Sequence, residues 1–269
     1  MLSCYNTTQL KSVVTEIAAA APVEKIFLLA VQTRAFHYST VFAVSATCRK
    51  EAVHYHLLVL LESNRQRNNE AWQDLIEHRC RAHTPVTVWV LPVARYAEWL
   101  DAGQPFAVKV YRHGFACYDA GKMVLPAPPA DEAGMEETLR HECVHYMIRS
   151  AEFLSGSGLY YLRRQFRPAA FLLHQAAEQA YIAIIWRVTG FRPMVHSLEK
   201  LHRYALPFSS ALAAVFPMNS EWEEYLFRLL QKAYIDTRYT SGFAMQEQEL
   251  LNLTSRVQKL QDVAAEFCR

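Results

Sequence analysis

The stretch that decides the fold is "AAFLLHQAAEQAYIAIIWRVTGFRPMVHSLEKL", residues 169–201. Between residues 167 and 190 apolar side chains cover most of the circumference of a helix, which predicts the central, buried helix of a bundle. Few polar residues interrupt it, and they are spaced at one helical turn: His174, Gln175 and Glu178. Buried polar groups need partners, so this stripe marks where binding chemistry or internal hydrogen bonding is expected.

The sequence around this helix is helical throughout the second half. Apolar residues recur with helical period from about residue 136 to residue 269, and the period is broken near Gly190, Pro217 and Gly242. Such a pattern predicts four or five long segments that pack as an antiparallel helical bundle.

Three motifs in this half resemble those of the HEPN domain. They are the His-Gln-x-x-Glu stripe at 174–178, the "GFRPMVHSL" connection at 190–198 and "AYIDTRY" at 233–239. The resemblance covers residues 136–269 and implies a five-helix antiparallel bundle that binds nucleotide or nucleic acid and frequently dimerises. In some members it also implies metal-independent RNase activity from an Arg-x4-6-His motif.

The sequence departs from that RNase motif. Arg192 and His196 are separated by three residues, and no histidine follows Arg238. We therefore expect the domain to bind the phosphate of a nucleotide or RNA as a dimer, with Arg192 and His196 as weak catalytic candidates. An RNase with a different Arg/His spacing and a purely structural dimerisation scaffold are the alternatives. The predicted ligand-binding residues are Arg238, Tyr239, Arg192, His196, His174 and Glu178.

Arg238 has two interpretations. Its guanidinium is suited to bidentate binding of a phosphate, with Tyr239 stacking beside it and Tyr234 and Asp236 within one turn. Alternatively, it forms an internal salt bridge to Glu178 that satisfies two buried polar groups. His196 likewise either faces an anion with Arg192 or caps the helix that follows.

"HECVH" at 141–145 matches the His-Glu-x-x-His signature of zinc peptidases. No third ligand with a suitable spacing follows, and the motif falls in the first helix of the predicted bundle. We interpret it as a coincidence and predict no metal site there. The motif "SGSG" at 155–158 is predicted to kink or end that helix, and the basic cluster "RRQFR" at 163–167 to be a solvated helix end or a phosphate-binding surface.

The first half predicts a small mixed α/β sheet domain, giving an α+β protein of two domains. A proline-rich linker at 123–135 separates a domain at 1–122 from the bundle at 136–269. An amphipathic helix is predicted near 66–81. The predicted strands are 24–31, 40–47, 54–62, 85–91 and 106–111.

This half resembles a nucleotidyltransferase fold in outline. That resemblance implies a Gly-Ser turn and three carboxylates that hold Mg²⁺. At the corresponding places stand "LAVQT" (29–33), "HYH" (54–56) and Thr87, so we expect a degenerate, inactive module. His54 and His56 point to one face of a strand, where they are structural histidines or hold a softer metal.

Composition bounds the remaining possibilities. A net charge of +2 gives no basic field over the whole chain that would indicate nucleic acid. The longest apolar runs are far short of the ~20 residues that cross a bilayer, so we expect a cytoplasmic protein without a membrane anchor. The six cysteines form no C-x-x-C pair and are expected to be reduced and mostly buried. No cofactor is predicted beyond the nucleotide ligand.

Overall fold

A computed structural model describes residues 7–38, 47–62, 67–81, 84–129, 133–240 and 242–269. The chain divides into two compact units, Met1–Asp131 and Glu132–Arg269. The first unit is built around a sheet and the second is helical, so the expected α+β layout with two domains is confirmed. The strand predicted at 40–47 lies, apart from Thr47, outside the described residues.

The first unit contains a four-stranded mixed sheet, in which β3 (Val86–Pro92), β2 (Thr47–Leu61), β1 (Val23–Tyr38) and β4 (Phe115–Asp119) lie in that order. Strands β1 and β2 form an antiparallel pair, β3 lies parallel to β2, and β4 lies antiparallel to β1. Helix α2 (Asn69–Cys80) connects the parallel strands β2 and β3. It confirms the amphipathic helix predicted near 66–81. The elements are α1 Thr7–Ala20, β1 Val23–Tyr38, β2 Thr47–Leu61, α2 Asn69–Cys80, β3 Val86–Pro92, α3 Val93–Asp101, α4 Pro105–His113 and β4 Phe115–Asp119.

Strand β2 runs through the centre of this unit. Successive residues of its apolar run, from Leu57 to Leu60, are completely buried although they point to alternate faces. Both faces of the sheet are therefore covered. One face packs against α1 and α2 through residues such as Ile17 and Ile76, and on the other Phe27 contacts Tyr96 of α3.

The prediction of a strand at 106–111 is wrong, because these residues belong to helix α4. Gln104 caps that helix by accepting a hydrogen bond from the Ala107 amide at 2.7 Å, and Pro105 occupies the first turn. The buried side chains of "FAVKV" fit a helix as well as a strand, so the cap and the proline decide. The fourth strand is β4, which follows α4 directly.

The segment after β4 is attached to the sheet at its start. The amide of Met123 donates to the buried Glu24 carboxylate at 2.6 Å, and Lys122 forms an ion pair with Glu62. Residues 120–129 contain neither helix nor strand. The proline-rich composition at 126–129 explains why no regular element forms there.

The second unit has four long helices and two short ones in its described residues. The central helix is α6 (Phe166–Thr189), which packs against α5 (Ala133–Leu162), α7 (Leu198–Ala205), α9 (Glu221–Tyr239) and α10 (Glu247–Phe267). Every residue from Ala176 to Ile185 is buried, which confirms the predicted core helix. The elements are α5 Ala133–Leu162, α6 Phe166–Thr189, α7 Leu198–Ala205, a 3₁₀ turn Leu206–Phe208, α8 Ala211–Val215, α9 Glu221–Tyr239 and α10 Glu247–Phe267.

The "SGSG" segment was predicted to kink or end the first helix of this unit, and it does not end that helix. Helix α5 continues through it to Leu162, and two of its small residues, Gly156 and Ser157, face α6 at close range. A Cβ atom on Gly156 would lie 3.0 Å from Leu172, and the Ser157 hydroxyl donates to the Ala169 carbonyl at 2.9 Å. The segment is a close-packing site between two helices.

The expectation that all cysteines are reduced is also wrong for one pair. A disulfide joins Cys143 in α5 to Cys268 just after α10. The two residues are 125 positions apart, so no local spacing signalled the pair. Cys80 is a buried free thiol, and Cys117 is a partly buried one.

Candidate functional site

Glu178 on α6 and His196 form the centre of the predicted site. The Glu178 side chain is about 4% exposed, and its two oxygens lie 3.1 and 3.2 Å from Nδ1 of His196. An ionised carboxylate only accepts hydrogen bonds, so Nδ1 of His196 is the donor to the charged form of Glu178, and Nε2 is the ring nitrogen that does not face it. His196 itself is exposed to solvent, whereas its partner is buried.

The protonation of Glu178 reflects a balance between burial and its neighbours. Burial raises the pKa of this carboxyl above its usual value, while the hydrogen bonds from His196 and Gln175 and the charge of Arg192 lower it. The charged form of the carboxylate therefore depends on groups at the surface of the domain.

His174 lies one turn before Glu178 and is completely buried. Its Nδ1 is 3.9 Å from the Glu178 carboxylate and 3.3 Å from the amide nitrogen of Gln175. Burial, with the charges of His196 and Arg238, lowers the pKa of His174 to about 3. This imidazole is neutral at physiological pH and serves as packing beneath the site.

The ring of Tyr234 on α9 brings the remaining groups together. The rings of His174 and His196 both stack on it, with centroids 5.1 and 4.8 Å away. The guanidinium carbon of Arg238 lies 4.2 Å from the same ring centroid and 5.0 Å from that of Tyr239. One aromatic ring thus places an imidazole and a guanidinium side by side at the surface.

The alternative of a salt bridge between Arg238 and Glu178 is wrong. Both residues belong to the described part of the chain, and no ion pair joins them there. Arg238 instead donates from Nε to the Tyr234 carbonyl at 2.8 Å. The Glu178 carboxylate is hydrogen-bonded to His196. The charge of this arginine is consequently available to an external anion.

Arg192 and His196 lie on the connection between α6 and α7. Gly190 ends α6 with φ 63°, a left-handed conformation that glycine adopts without strain. Arg192 is exposed, and its guanidinium carbon lies 6.0 Å from the ring centroid of Tyr146 on α5. The cap of α7 is Ser197, which accepts from the Lys200 amide, so His196 is not the capping residue.

The structure therefore brings all six predicted residues to one region of the helical unit. His174, Glu178 and His196 contact one another, Arg238 and Tyr239 join them through Tyr234, and Arg192 influences the carboxylate by its charge. Tyr146 was not predicted, and Tyr234 was noted from the sequence only as a neighbour of Arg238. Tyr234 has a signal, since it lies one helical turn before Arg238, whereas nothing near Tyr146 marks it.

The family model of the HEPN domain matches residues 145–266, which contain this whole arrangement. The C-terminal half contains a HEPN domain. Its match extends from within α5 to the end of α10 and includes the Glu178–His196 pair and Tyr234. No curated protein shows significant sequence similarity to the chain. None of the described helices is long and apolar enough to cross a membrane.

The basic cluster at 163–167 serves the HEPN domain's fold in two places. Arg164 forms an ion pair with Glu247 at the start of α10. Arg167 donates to the carbonyls of Thr237 at 2.8 Å and Asp236 at 3.3 Å, at the end of α9. The contacts of Arg167 hold the end of α9, the helix that carries Arg238.

The histidine motifs outside this site form no metal centre. No group of three or more His, Cys, Asp or Glu side chains able to hold a metal occurs among the described residues. The rings of His141 and His145 meet edge to face at 4.6 Å on the surface of α5. In the first unit, Nε2 of His54 lies 2.8 Å from the Thr87 hydroxyl, and His56 beside it is buried.

Proposed function

We propose that the HEPN domain binds the phosphate of a nucleotide or of RNA on the surface formed by Arg192, His196 and Arg238. One observation carries this proposal: the two arginines and the imidazole are exposed around one buried carboxylate and one tyrosine. Within the described residues neither arginine has an ion-pair partner. Two unpaired guanidinium groups beside an oriented imidazole are suited to an oxyanion.

The chemistry of each group supports this assignment. Arginine presents a planar fork of donors that matches phosphate oxygens, and stacking on Tyr234 restricts the guanidinium before a ligand arrives. Tyr239 is 74% exposed beside Arg238, so its ring is available to stack on a base. Glu178 fixes the orientation of His196 from below.

The experiment measures binding of AMP, ATP, GTP and a fluorescein-labelled oligouridylate in EDTA, by calorimetry and fluorescence anisotropy. Arg238→Ala and Arg192→Ala should each weaken binding by about tenfold or more, because a charged hydrogen bond contributes about 1.5–3 kcal/mol. Arg163→Ala is the matched control, since Arg163 is an exposed arginine of the same domain outside the site.

Two outcomes would contradict the proposal. One is that no ligand binds at millimolar concentration. The other is that Arg163→Ala weakens binding as much as Arg238→Ala, which would indicate general charge attraction. Either result would favour the role of a structural dimerisation scaffold.

A second candidate function is metal-independent cleavage of RNA, and the Glu178–His196 hydrogen bond favours it. In this reaction Nε2 of His196 takes the proton of a 2′-hydroxyl, whose oxygen attacks the adjacent phosphorus. The bond from phosphorus to the 5′-oxygen breaks, and that oxygen takes a proton from water. The products are a 2′,3′-cyclic phosphate and a 5′-hydroxyl, and arginine stabilises the charge that develops on the phosphate oxygens.

Incubation of labelled RNA in EDTA separates binding from cleavage. Cleavage that disappears with His196→Ala while RNA binding persists would establish the second function. If RNA stays intact with the wild-type protein, the cleavage function is refuted and only the binding function remains.

We also propose that the domain forms a homodimer. Its helix α5 exposes apolar side chains that a monomer would leave in water, and partner helices commonly cover such faces. These side chains are 41–77% exposed: Val144, Ile148, Leu159 and Leu162. Sedimentation equilibrium should give twice the monomer mass, and Ile148→Lys with Leu159→Lys should reduce it to the monomer.

For the first unit we propose a nucleotidyltransferase-like module without activity. The positions compared with the metal-binding carboxylates are occupied by His54, His56 and Thr87, which supply no hard-oxygen Mg²⁺ site. Transfer of radioactive nucleotide from ATP to protein or RNA in Mg²⁺ should therefore be absent. Transfer that disappears in EDTA would overturn this part of the proposal.

A further inference from the structure

Helix α9 presents one continuous exposed face, and the proposed phosphate site lies at its C-terminal end. Side chains on this face are spaced by three or four residues along the helix. Their charge changes along the helix, from acidic at the N-terminal end to basic farther along. The exposed residues are Glu221, Tyr225, Arg228, Lys232, Ile235 and Tyr239.

Two cations on this face extend the charge of Arg238 along the helix. Among the described residues, Arg228 and Lys232 form no ion pair and no side-chain hydrogen bond. Arg256 and Arg164 of the same domain, in contrast, are paired with Glu223 and Glu247. Unpaired cations in a row remain available to external phosphates.

The length of this row exceeds what one phosphate requires. From Arg228 to Tyr239 a helix rises about 16 Å. A stacked nucleic-acid strand advances only about 3.4 Å per nucleotide. The row can therefore contact several successive nucleotides.

The opposite end of the helix marks where this row stops. Glu221 and Glu224 are exposed there and carry the charge that repels phosphate. Tyr225 donates its hydroxyl to Glu249 at 2.8 Å, and its ring stacks with Trp222. The basic part of the face thus begins at Arg228.

Apolar surface alternates with these cations. Ile235 is 55% exposed and Tyr239 74% exposed, and both lie on the same face as Lys232. The Tyr239 ring is suited to stack on the face of a base, and Ile235 provides apolar contact beside it; base faces are accessible only in unpaired strands.

We propose that this α9 track, which consists of Arg228, Lys232, Ile235, Arg238 and Tyr239, binds single-stranded RNA several nucleotides long. The inference rests on the proposed function, because one end of the track is the phosphate site at Arg238. The track extends from that site along α9 to Arg228. It assigns the ligand as an extended, unpaired strand, and a mononucleotide would fill only one end of the track.

The experiment compares ligands of different length and variants at different points of α9. Anisotropy is measured in EDTA for oligouridylates of 2, 6 and 12 nucleotides and for a duplex of 12 base pairs. The double variant Arg228→Ala/Lys232→Ala tests the track, and Arg238→Ala tests the phosphate site. Trp222→Ala is the matched control, an exposed aromatic residue of the same helix at its acidic end.

The wild-type protein should bind the 12-mer about tenfold or more tightly than the dinucleotide and should prefer it to the duplex. The double variant should weaken binding of the 12-mer about tenfold, lower the slope of log K against log salt by about 1 to 2, and leave dinucleotide binding unchanged. Trp222→Ala should resemble the wild type.

Several results would overturn the inference. They are equal affinity for the dinucleotide and the 12-mer, equal affinity for the duplex, and an undiminished affinity of the double variant. A further one is that Arg228→Glu/Lys232→Glu converts a dimer to a monomer, because the face would then bind a second copy of the chain. If Arg238→Ala still abolishes binding in any of these cases, the phosphate site stands and only the track is refuted. No binding of any probe would refute both.

Discussion

Glu178 is the residue whose environment is hardest to explain by stability alone. Burial raises the pKa of its carboxyl, so the charged form is disfavoured in the fold. Its main partner, His196, is an exposed imidazole. Fixing an exposed ring in place adds little to the stability of the fold. A buried acid that orients a surface histidine is the arrangement expected where that histidine contacts a ligand.

Replacing Glu178 with glutamine should separate stability from function. A carboxyl whose pKa is raised by folding stabilises the protein below the pKa of the unfolded chain, and that contribution is lost as pH rises through the folded pKa. Glu178→Gln removes this loss, so its melting temperature should exceed that of the wild type at pH 7–8 and approach it near pH 4. Binding of the oligouridylate should weaken, because the neutral amide of glutamine orients the His196 ring less strongly than a carboxylate does.

The measurement is a series of thermal melts from pH 4 to pH 8, with Glu152→Gln as the control at an exposed position of α5. A melting temperature of Glu178→Gln that falls below the wild type at every pH would contradict the prediction. It would mean that the carboxylate contributes more to the fold than its burial costs.

His202 provides a second pH-dependent test at the residue scale. It is buried among Tyr181, Phe216 and Phe227, and burial lowers its pKa to about 4. Below pH 6.5 the unfolded chain takes up a proton that the folded chain does not, so stability falls between pH 6.5 and pH 4 by on the order of 3 kcal/mol.

His202→Gln should show a flatter decline in that window, at the cost of a lower stability at pH 7 from the altered bond to Tyr181. Urea denaturation at pH 7, 5.5 and 4 measures this difference. An equally steep loss in both proteins would assign the acid sensitivity to other groups, of which His174 is the first candidate.

At this scale the sequence could locate the site but not its contacts. The polar stripe of α6 was visible because His174 and Glu178 interrupt an apolar helix. The partner of Glu178 was not, because the choice between His196 and Arg238 depends on how the connection after Gly190 passes over α9. Only three-dimensional packing of α6 against α9 sets that path.

At the scale of elements, the end of α9 is held by Arg167 of α6. Its guanidinium donates to Thr237 and Asp236 and also contacts the Thr240 carbonyl. The last carbonyls of a helix carry partial negative charge and have no partner within the helix, so a cation there stabilises the end.

Arg167→Ala should therefore lower the free energy of unfolding by about 1–3 kcal/mol. It should also increase amide exchange from Tyr234 to Tyr239, which would weaken ligand binding indirectly. Urea denaturation and hydrogen exchange measure the two effects, and Arg163→Ala is the control. Unchanged exchange at the end of α9 would show that the helix does not depend on this arginine.

The glycines of "SGSG" offer a matched pair within one helix. Alanine in place of glycine favours a helix by about 0.5–1 kcal/mol where space allows. At Gly158 nothing lies within 4 Å of the added Cβ, whereas at Gly156 it would meet Leu172 at 3.0 Å. Gly158→Ala should therefore stabilise the domain, and Gly156→Ala should stabilise it less or destabilise it. Denaturant melts that give equal gains would contradict the close packing of α5 on α6.

These elements also show why the sequence predicted some boundaries wrongly. Glycine and serine usually interrupt helices, but at 155–158 the contact with α6 outweighs their low propensity. In the first unit, the β-rich run at 106–111 suggested a strand, whereas Gln104 and Pro105 started a helix. Long apolar periods were reliable, and short segments depended on caps and neighbours.

At the scale of the whole molecule, the two units differ in the state of their cysteines. In the helical unit the disulfide between Cys143 and Cys268 connects the first helix, α5, to the residue after the last helix, α10. The cross-link restricts the unfolded chain over a sequence separation of 125 residues. Among the described residues of the sheet unit, Cys80 and Cys117 remain free thiols.

Reduction should therefore affect the HEPN domain selectively. The loop entropy model gives a stabilisation of up to about 5 kcal/mol for a loop of this size. Dithiothreitol should lower the stability of the domain and increase amide exchange in α10, while exchange in the sheet unit stays unchanged. Cys268→Ser should reproduce the effect and remove any further response to the reductant. Mass spectrometry of the unreduced protein should find the peptides of Cys143 and Cys268 linked. If wild type and Cys268→Ser respond equally to dithiothreitol, the bond does not form in solution, and the two sulfurs are only neighbours in the packed bundle.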